Sequence, residues 1–270
     1  MPVMYKKSHH DVDAKHGTNC RYRCVMVEPE HDDLSEAGRS DLEVRTIHSP
    51  DEMEAASHVL MQVWGTTTPL VAREMLRAVE HSGGYVAAAY ESHRMVGASF
   101  GWLAQHEGET ALHSHVTGLL PGARHLGRGR AMKFHQREWA AARNIAWITW
   151  TFDPLVRANA WFNIEVLGAQ VSAYLENFYG DMSDSINAND ESDRLVVAWQ
   201  VDATSPREHI STPTINVPTP DDIVSLRRTD ATLARQWRLD VRNALTAAID
   251  DGRRIIAFTR DGNYVIEGDS

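Results

Sequence analysis

The sequence predicts an α/β (α+β) fold, with a central mixed, mostly antiparallel sheet flanked by helices and a C-terminal helix–hairpin appendage. Three observations predict it. Short segments with strand-like alternation recur along the chain. Amphipathic helical segments lie between them. Two of the strands are separated by a short polar turn, which is typical of an antiparallel hairpin.

The first predicted elements are a strand and two helices. Leu42–Ile47 alternates apolar and polar side chains, as a half-buried strand does. Ser49 and Pro50, followed by two carboxylates, form a helix start, so we expect a helix that runs to about Trp64. A second helix is predicted over residues 70–81, and a Gly-Gly turn follows it.

Three strands come next. Residues 85–90 and 95–104 form the predicted hairpin across a Glu-Ser-His turn. Residues 111–120 form the third strand, and Pro121 ends it because proline donates no backbone hydrogen bond.

A helix is then predicted over about 129–144, and its two faces differ. We expect one face to pack in the core and the other to lie on the opposite side of the helix. The first carries Met132, His135, Trp139 and Ala142, and the second carries Lys133, Gln136, Arg137 and Arg143.

The rest of the sheet is predicted from three further strands and one helix. Residues 145–152 are strongly apolar, which is typical of a strand at the centre of a sheet. A helix over 156–167 is closed by Gly168, a residue that favours the left-handed cap. Residues 170–174 and 194–201 have the pattern of two final strands.

Four parts are predicted along the chain. Residues 1–41 are polar and read as a flexible N-terminal tail, and 42–202 hold the sheet and its helices. Residues 203–222 hold four prolines and are interpreted as a linker. Residues 223–270 form a helix plus a small hairpin, expected to pack on the core or on a second subunit. That helix, with Leu233, Trp237, Val241 and Leu245 at helical spacing, suggests a possible homodimer.

Composition argues against several classes of partner. The formal net charge of −10 makes general binding to nucleic acid or to an anionic membrane improbable. No apolar run is long enough to cross a bilayer, and the first ten residues lack the apolar core of a secretory signal, so we expect a cytoplasmic protein. The two cysteines cannot build a disulfide framework. The two cysteines have a spacing that zinc sites permit, but the second pair of ligands is not at a standard downstream spacing, so no metal is expected. The residues considered for such a site are His9, His10, His16, Cys20 and Cys24.

The most informative stretch is Leu119–Ala131, between a predicted strand and a predicted helix. Its glycines let backbone N–H groups converge on an anion, and the N-terminus of the helix adds partial positive charge. Arg124, Arg128 and Arg130 can add point charges. The stretch therefore predicts a cradle for a pyrophosphate. It is neither a Walker loop nor a dinucleotide-binding fingerprint, because the spacing of each is missing.

This stretch resembles the coenzyme motif of the GNAT acyltransferases, Gln/Arg-x-x-Gly-x-Gly/Ala, and Arg124–Gly129 fits that motif. The predicted order of elements over about 42–202 also fits the family. A second segment, Asn159-Ala-Trp-Phe162 leading to Gly168, is similar to the family's segment after its fifth strand.

The resemblance implies an acyl-CoA-dependent N-acyltransferase with acetyl-CoA or succinyl-CoA as the donor. It implies that backbone groups near Leu119 hold the pantetheine arm and polarise the thioester carbonyl, and that Asn159 approaches that arm. Gly127, Gly129 and Arg130 would bind the pyrophosphate. The complete predicted coenzyme site is Leu119, Leu120, Arg124, Leu126, Gly127, Arg128, Gly129, Arg130, Ala131, Asn159 and Phe162.

One position departs from the family pattern. Many relatives carry a tyrosine that can protonate the leaving thiolate, and this chain has Asn163 there. Tyr174 or Tyr179 could substitute, or the thiolate could leave unaided.

A base is also needed to take the proton of the amine. His113 and His115 are two apart on one strand, so both side chains are expected on one face. Glu107 and Asp153, each near a strand end, are weaker candidates.

The predicted function is transfer of an acetyl or succinyl group to the amine of a small molecule, such as an amino acid, in a ternary complex. Trp64-Gly65 at the end of the first helix, the segment Asn177-Phe-Tyr-Gly180 and the C-terminal helix–hairpin also resemble a larger GNAT branch. Some members of that branch serve amino-acid N-acylation, including succinylation, so the resemblance implies succinyl-CoA as an alternative donor. The alternatives are a non-catalytic module that senses acyl-CoA or docks a protein, and a protein-lysine acyltransferase.

Overall fold

Strands and helices follow one another in the predicted order as far as residue 200. The computed structural model describes residues 42–124, 127–180, 182, 190–203 and 213–268. The predicted N-terminal tail, with its His and Cys residues, lies outside these ranges. The first elements are β1 (Leu42–Thr46), α1 (Pro50–Trp64), α2 (Arg73–His81), β2 (Tyr85–Glu91), β3 (Arg94–His106), β4 (Glu109–Leu119), a 3-10 turn (Pro121–Ala123) and α3 (Arg128–Ala141).

The remaining elements complete the large sheet and build a second, smaller one. They are β5 (Trp147–Phe152), α4 (Arg157–Ala160) continuing as a π-helical segment (Trp161–Val166), β6 (Gln170–Leu175), β7 (Arg194–Gln200), β8 (Thr214–Pro218), α5 (Ile223–Thr229), α6 (Ala231–Asp250), β9 (Ile255–Phe258) and β10 (Asn263–Glu267).

The large sheet has seven strands in the order β1-β2-β3-β4-β5-β7-β6. Every neighbouring pair in it is antiparallel except β4 and β5, which are parallel. Helices α1 and α2 pack on the half that contains β2 and β3. The predicted mixed, mostly antiparallel sheet with flanking helices is therefore confirmed.

Residues 203–222 differ from the linker that their prolines predict. Within them β8 pairs antiparallel with β10, with Val217 opposite Tyr264. The strand lies at the edge of the three-stranded sheet β8-β10-β9. An edge strand tolerates Pro218 because a proline there needs no ladder partner for its nitrogen. Only Val217 of this strand is buried, so the sequence has almost no apolar alternation to reveal it.

The first helix has a start that its sequence dictates. The Ser49 side chain accepts from the Glu52 backbone N–H, and the Glu52 side chain accepts from the Ser49 backbone N–H. This reciprocal capping box satisfies two of the donors that a helix leaves unpaired at its N-terminus. The helix ends at Gly65, which has a φ of 64° in the left-handed region.

The C-terminal segment packs on the same core as the large sheet. Val241 and Leu245 of α6 are buried together with Trp150 and Leu155 near the end of β5. The described residues after position 41 belong to one compact unit. Leu233 of α6 is exposed, and a homodimer through this helix stays a prediction. Among the described helices, none combines the length and apolar character that crossing a bilayer requires.

A buried ion network joins the end of β5 to the C-terminal helices. Asp153 accepts from Arg238 at 2.9 Å and also pairs with Arg227. Asp190 accepts from Arg227 at 2.9 Å and from Arg238 at 2.6 Å. Burial alone would raise the pKa of Asp153, but the two guanidinium groups hold it well below its usual range. Asp153 therefore serves the fold, and the guanidinium groups already bonded to its carboxylate disfavour it as a catalytic base.

Replacing Asp153 by Asn is expected to lower the free energy of unfolding by about 3–5 kcal/mol, because two buried guanidinium groups lose a counter-charge. Urea titration of both proteins measures this. The stability that ionised Asp153 contributes is present above its unfolded pKa of about 3.9 and is lost as pH falls below that value. The difference in unfolding free energy between wild type and variant should therefore narrow in acid. Asp221→Asn is the control, since that carboxylate pairs with Arg157 but is 92% exposed. A loss no larger than the control's would contradict the network's role.

Candidate active site

A crevice lies between β4 and β5, the two parallel strands. They pair only over Ala111–His113 and Trp147–Thr149. Beyond these residues β4 continues to Leu119 and β5 to Phe152, and among the described residues no further pairing joins the two strands. The strands therefore part after three residue pairs, and the crevice opens at their carboxyl ends. Such an opening is a usual place for ligands in sheets that contain parallel strands.

A bulge in β4 lies at the closed end of the crevice. Val116 pairs with Phe100 but Ser114 pairs with Gly101, so His115 is the extra residue. A β-carbon on Gly101 would lie 2.4 Å from the carbonyl oxygen of His113, and the close approach of the strands therefore needs glycine. Bulges re-aim side chains, and they are common beside active sites.

One face of the crevice carries imidazole and aromatic groups. The ring of Trp102 lies 5.2 Å from that of His113 and 4.8 Å from that of His115, which confirms that both histidines share one face. The Nδ1 atom of His113 lies 3.3 Å from Thr149 Oγ1. Burial, with smaller contributions from His115 and Lys133, lowers the pKa of His113 to about 4. Burial also lowers the pKa of His115. His113 is therefore uncharged at neutral pH.

The two candidate tyrosines have different surroundings. The hydroxyl of Tyr174 donates to Asp193 at 2.6 Å. Burial and this carboxylate raise the pKa of Tyr174 far above its ordinary value, which makes it a poor proton donor to a ligand. Tyr179 is exposed, and its hydroxyl lies 3.3 Å from Thr151 Oγ1. Tyr179 therefore lies beside β5 at the crevice, whereas Tyr174 belongs to a cluster that reaches Arg242.

The glycine motif begins α3 at the open end of the crevice. Gly127 is the N-cap, with a φ of 71° that a glycine adopts without strain. The first bond within the helix runs from Ala131 N–H to the Gly127 carbonyl. The N–H groups of residues 128–130 consequently have no acceptor within the helix. His125 and Leu126, the middle of the motif, lie outside the described residues.

The three arginines of the motif are not equivalent. Arg128 is buried and its guanidinium pairs with Glu91 at the end of β2. The Arg128 side chain therefore does not offer the free point charge that the sequence predicts. Its backbone N–H still has no acceptor within the helix. Arg124 is exposed and donates to the Leu119 carbonyl at 3.1 Å, and Arg130 is exposed above the Phe134 ring. Leu119 is buried, and the Leu120 N–H donates to Val96 at 2.9 Å.

The segment after β5 lies across the crevice from α3. Asn159 is exposed in α4, and Phe162 would meet a β-carbon on Gly129 at 3.7 Å. The π-helical segment, a feature frequent at functional sites, turns Asn163 inward. There Asn163 is buried and accepts from Trp150 Nε1 at 3.1 Å.

Phe162 also lines a groove of about 630 Å³ with Trp161. Arg260, in the turn after β9, lies over the Trp161 ring at 5.5 Å.

The wall of the crevice opposite the histidines carries Lys133 and Gln136, two polar residues of α3. Lys133 and Gln136 of α3 were assigned to the face opposite the core, yet both are buried. Lys133 Nζ donates to Ser114 Oγ at 3.1 Å and to Gln136 Oε1 at 2.9 Å, and it lies 3.7 Å from the centre of the Trp150 ring. Lys133 and Gln136 are three residues apart, so they lie on the same side of α3. This spacing is the sequence signal that could have revealed the polar cluster.

Metal-ligating side chains do not converge in the described part of the chain. No group of three or more His, Cys, Asp or Glu residues there is placed to hold a metal ion.

Replacing Tyr174 by Phe is expected to lower the free energy of unfolding by about 1–3 kcal/mol, because the buried Asp193 carboxylate loses a donor. Tyr179→Phe is the matched control and should change it by less than about 0.5 kcal/mol. Chemical denaturation measures both. A variant at Tyr174 with unchanged stability would contradict the structural role assigned here.

No family model matches the chain, and no curated protein matches it. Among solved structures, it is similar to the ribosomal-protein alanine N-acetyltransferase of Escherichia coli, with 13% identity, 63% of this chain and 99% of that chain covered, and a TM-score of 0.48.

Two further solved structures are similar at the same level. A GNAT-family acetyltransferase from Streptococcus pneumoniae has 14% identity, covers 59% of this chain and 99% of its own, and has a TM-score of 0.47. Aminoglycoside 6′-acetyltransferase type Ii has 15% identity, covers 60% and 99%, and has a TM-score of 0.48. The order of strands and helices over residues 42–200 is the order that the GNAT resemblance implies.

Proposed function

We propose that this chain is an acyl-CoA-dependent N-acyltransferase that moves an acetyl or succinyl group to the amine of a small molecule. One observation carries the proposal. The crevice between β4 and β5 opens directly onto the start of α3, where Gly127 is the N-cap. A ligand with an anionic end and a long, amide-bearing arm fits this combination, and acyl-CoA is such a ligand.

The pyrophosphate is assigned to the start of α3. The N–H groups of Arg128, Gly129 and Arg130 have no acceptor within the helix, and a helix N-terminus attracts anions through them. A β-carbon on Gly127 would meet nothing within 4 Å, so the space around the helix start is open. The exposed guanidinium groups of Arg124 and Arg130 add positive charge nearby.

The pantetheine arm is assigned to the crevice. Between Ser114 and Leu119, the edge of β4 that faces β5 has no strand partner among the described residues. An extended chain with amide groups can bond to such an edge as an added strand does. At a rise of roughly 3.3 Å per residue, this edge is about 16 Å long and leads from the helix start to the bulge at His115. A backbone N–H near the bulge would polarise the thioester carbonyl and the oxyanion that follows.

The adenosine end is assigned to the groove beside Phe162. Trp161 and Phe162 offer aromatic faces, and Arg260 offers a cation that has no ion pair among the described residues. Phe162 also lies next to Gly129, so the groove continues outward from the proposed pyrophosphate site.

The amine is assigned to the histidine face. The exposed ring of Trp102, on β3, lies against both His113 and His115. The exposed Tyr179, in the turn after β6, lies beside Thr151 of β5. An amine must lose its proton to react, and an uncharged imidazole can accept it directly or through water. His115 is the better base because it is the more exposed of the two histidines. Most of the rate would come from holding amine and thioester together and from polarising the carbonyl.

Replacing Gly127 by Glu is expected to lower the affinity for acetyl-CoA and succinyl-CoA at least tenfold, because a carboxylate would then face the pyrophosphate. Isothermal titration calorimetry with each thioester measures this, and the tighter donor identifies the acyl group. Gly252→Glu is the matched control. It has a φ of 75° against 71° at Gly127, and a β-carbon at either glycine meets nothing within 4 Å. The two variants therefore share the backbone strain and differ in where the charge lies.

Three outcomes would contradict this function in different ways. Absence of binding to a folded wild type would reject the acyl-CoA site altogether. Tight binding without turnover on a panel of amino acids and amines would favour the sensing module, and turnover only on a lysine peptide would favour the protein-lysine acyltransferase.

A further inference from the structure

Lys133 is a buried cation whose bonded neighbours are all neutral. Its residue surface is 4% exposed, and its partners are Ser114 Oγ, Gln136 Oε1 and the Trp150 ring. Among the residues that the structure describes, no carboxylate lies within ion-pair distance of its Nζ atom. A buried ammonium without a counter-charge is costly, so its retention calls for a reason other than stability.

The position of Lys133 gives that reason. Ser114 is the first residue of β4 after its pairing with β5 ends, and Trp150 is the first such residue of β5. The Nζ atom contacts both, so it lies at the closed end of the crevice, where the strands begin to part. His113 and His115 flank Ser114 on β4, with their ring centroids 6.2 Å apart, and side chains that alternate along a strand point to opposite faces. The two sides of the crevice therefore present opposite chemistry, with imidazole bases on one and an ammonium donor on the other.

We propose that Lys133 is the catalytic proton donor to the coenzyme sulfur, an inference that rests on the acyl-CoA function proposed above. The amine nitrogen forms a bond to the acyl carbon, and the bond between that carbon and sulfur breaks with its electron pair on sulfur. The sulfur takes a proton from Lys133 Nζ, which becomes a neutral amine. The nitrogen's proton passes to His115 or to water, and Lys133 regains a proton from solvent before the next turnover.

The surroundings of Lys133 suit a group that changes its protonation state. Burial lowers its pKa to about 7, so both states are populated near neutral pH. A thiol has a pKa of about 8.5, so transfer from this ammonium to a thiolate is favourable. Gln136 Nε2 points towards Ser99 Oγ at 3.5 Å, which leaves its oxygen for the ammonium. The Ser114 hydroxyl can accept from the ammonium or donate to the neutral amine, so both states keep a partner.

Neighbouring side chains keep this geometry fixed. Trp150 is held by its Nε1 bond to Asn163, so its ring stays beneath the Nζ atom. The Ser99 hydroxyl is hydrogen-bonded to the Thr117 hydroxyl at 2.7 Å. This bond fixes Ser99, which in turn orients the Gln136 amide. These contacts place the ammonium at one point of the crevice. A coenzyme sulfur bound beside Lys133 Nζ would replace Ser114 Oγ as the acceptor of one hydrogen bond from the ammonium.

The proposal is tested with coenzyme A itself, so that no acceptor amine need be known. The thiolate absorbs in the ultraviolet, and its appearance can be titrated with pH for coenzyme A bound to the protein. Desulfo-coenzyme A supplies the blank. In the wild type, the thiolate fraction of bound coenzyme A between about pH 6 and 7 should be at least tenfold that of free coenzyme A, because Lys133 keeps its ammonium form up to its pKa of about 7 and this cation stabilises the thiolate.

Two substitutions and one control sharpen the measurement. Lys133→Met should return the thiol to its free pKa or above while binding coenzyme A within about threefold of the wild type, and Lys133→Arg should keep the pKa lowered. Arg143→Met, just past the end of α3, is the control and should behave as the wild type. Thermal melting should show Lys133→Met to be at least as stable as the wild type, since it removes a buried charge.

Several outcomes would overturn the proposal. Equal thiol pKa values in the wild type and Lys133→Met, with both binding coenzyme A, would leave Lys133 a purely structural residue. A loss of affinity in Lys133→Met confined to succinyl-CoA would instead make it a site for the donor's carboxylate. If the wild type does not bind coenzyme A, the proposed function itself fails and this inference with it.

Discussion

The parting of β4 and β5 is the constraint on which the rest of the site depends. Two parallel strands that pair over three residues and then diverge leave backbone edges that no strand in the described part of the chain satisfies. Unpaired backbone groups in a protein interior are costly, so a crevice of this kind implies that water or a ligand completes it. The bulge at His115 fixes where the divergence begins, and Gly101 permits the bulge because only glycine tolerates the approach of the His113 carbonyl.

The C-terminal segment helps to hold the crevice open. Asp153 directly follows β5 and is bound by Arg227 and Arg238 of α5 and α6, and the Tyr264 hydroxyl donates to the Pro154 carbonyl at 2.7 Å. The turn that leads from β5 to α4 is thus fixed from outside the large sheet. Because α4 and the π-helical segment carry Asn159, Phe162 and Asn163, the same contacts position one wall of the crevice. The groove that includes Arg260 extends this arrangement to the hairpin of β9 and β10.

Sequence patterns predicted most elements of the large sheet because alternation and helical spacing are local properties. They failed where burial depends on distant partners. Lys133 looks like an exposed residue until Ser114 and Trp150 are known to enclose it. Arg128 looks like a phosphate ligand until Glu91 is brought beside it by the sheet. Strand β8 has one buried side chain and ends in proline, so no periodic signal marks it. The structural contacts of Tyr174 and Asp153 were hidden from the sequence for the same reason, since both side chains are bound to distant charged residues.

Hydrogen exchange with and without acetyl-CoA tests the central claim most directly, because it reports where the coenzyme binds as well as whether it does. Backbone amides that gain hydrogen bonds in a bound complex exchange more slowly. We expect slower exchange in two stretches, residues 114–119 on the free edge of β4 and residues 127–131 at the start of α3, with β1 and β2 unchanged. Absence of protection in both stretches while acetyl-CoA is bound would contradict the account, whatever other segments it protects.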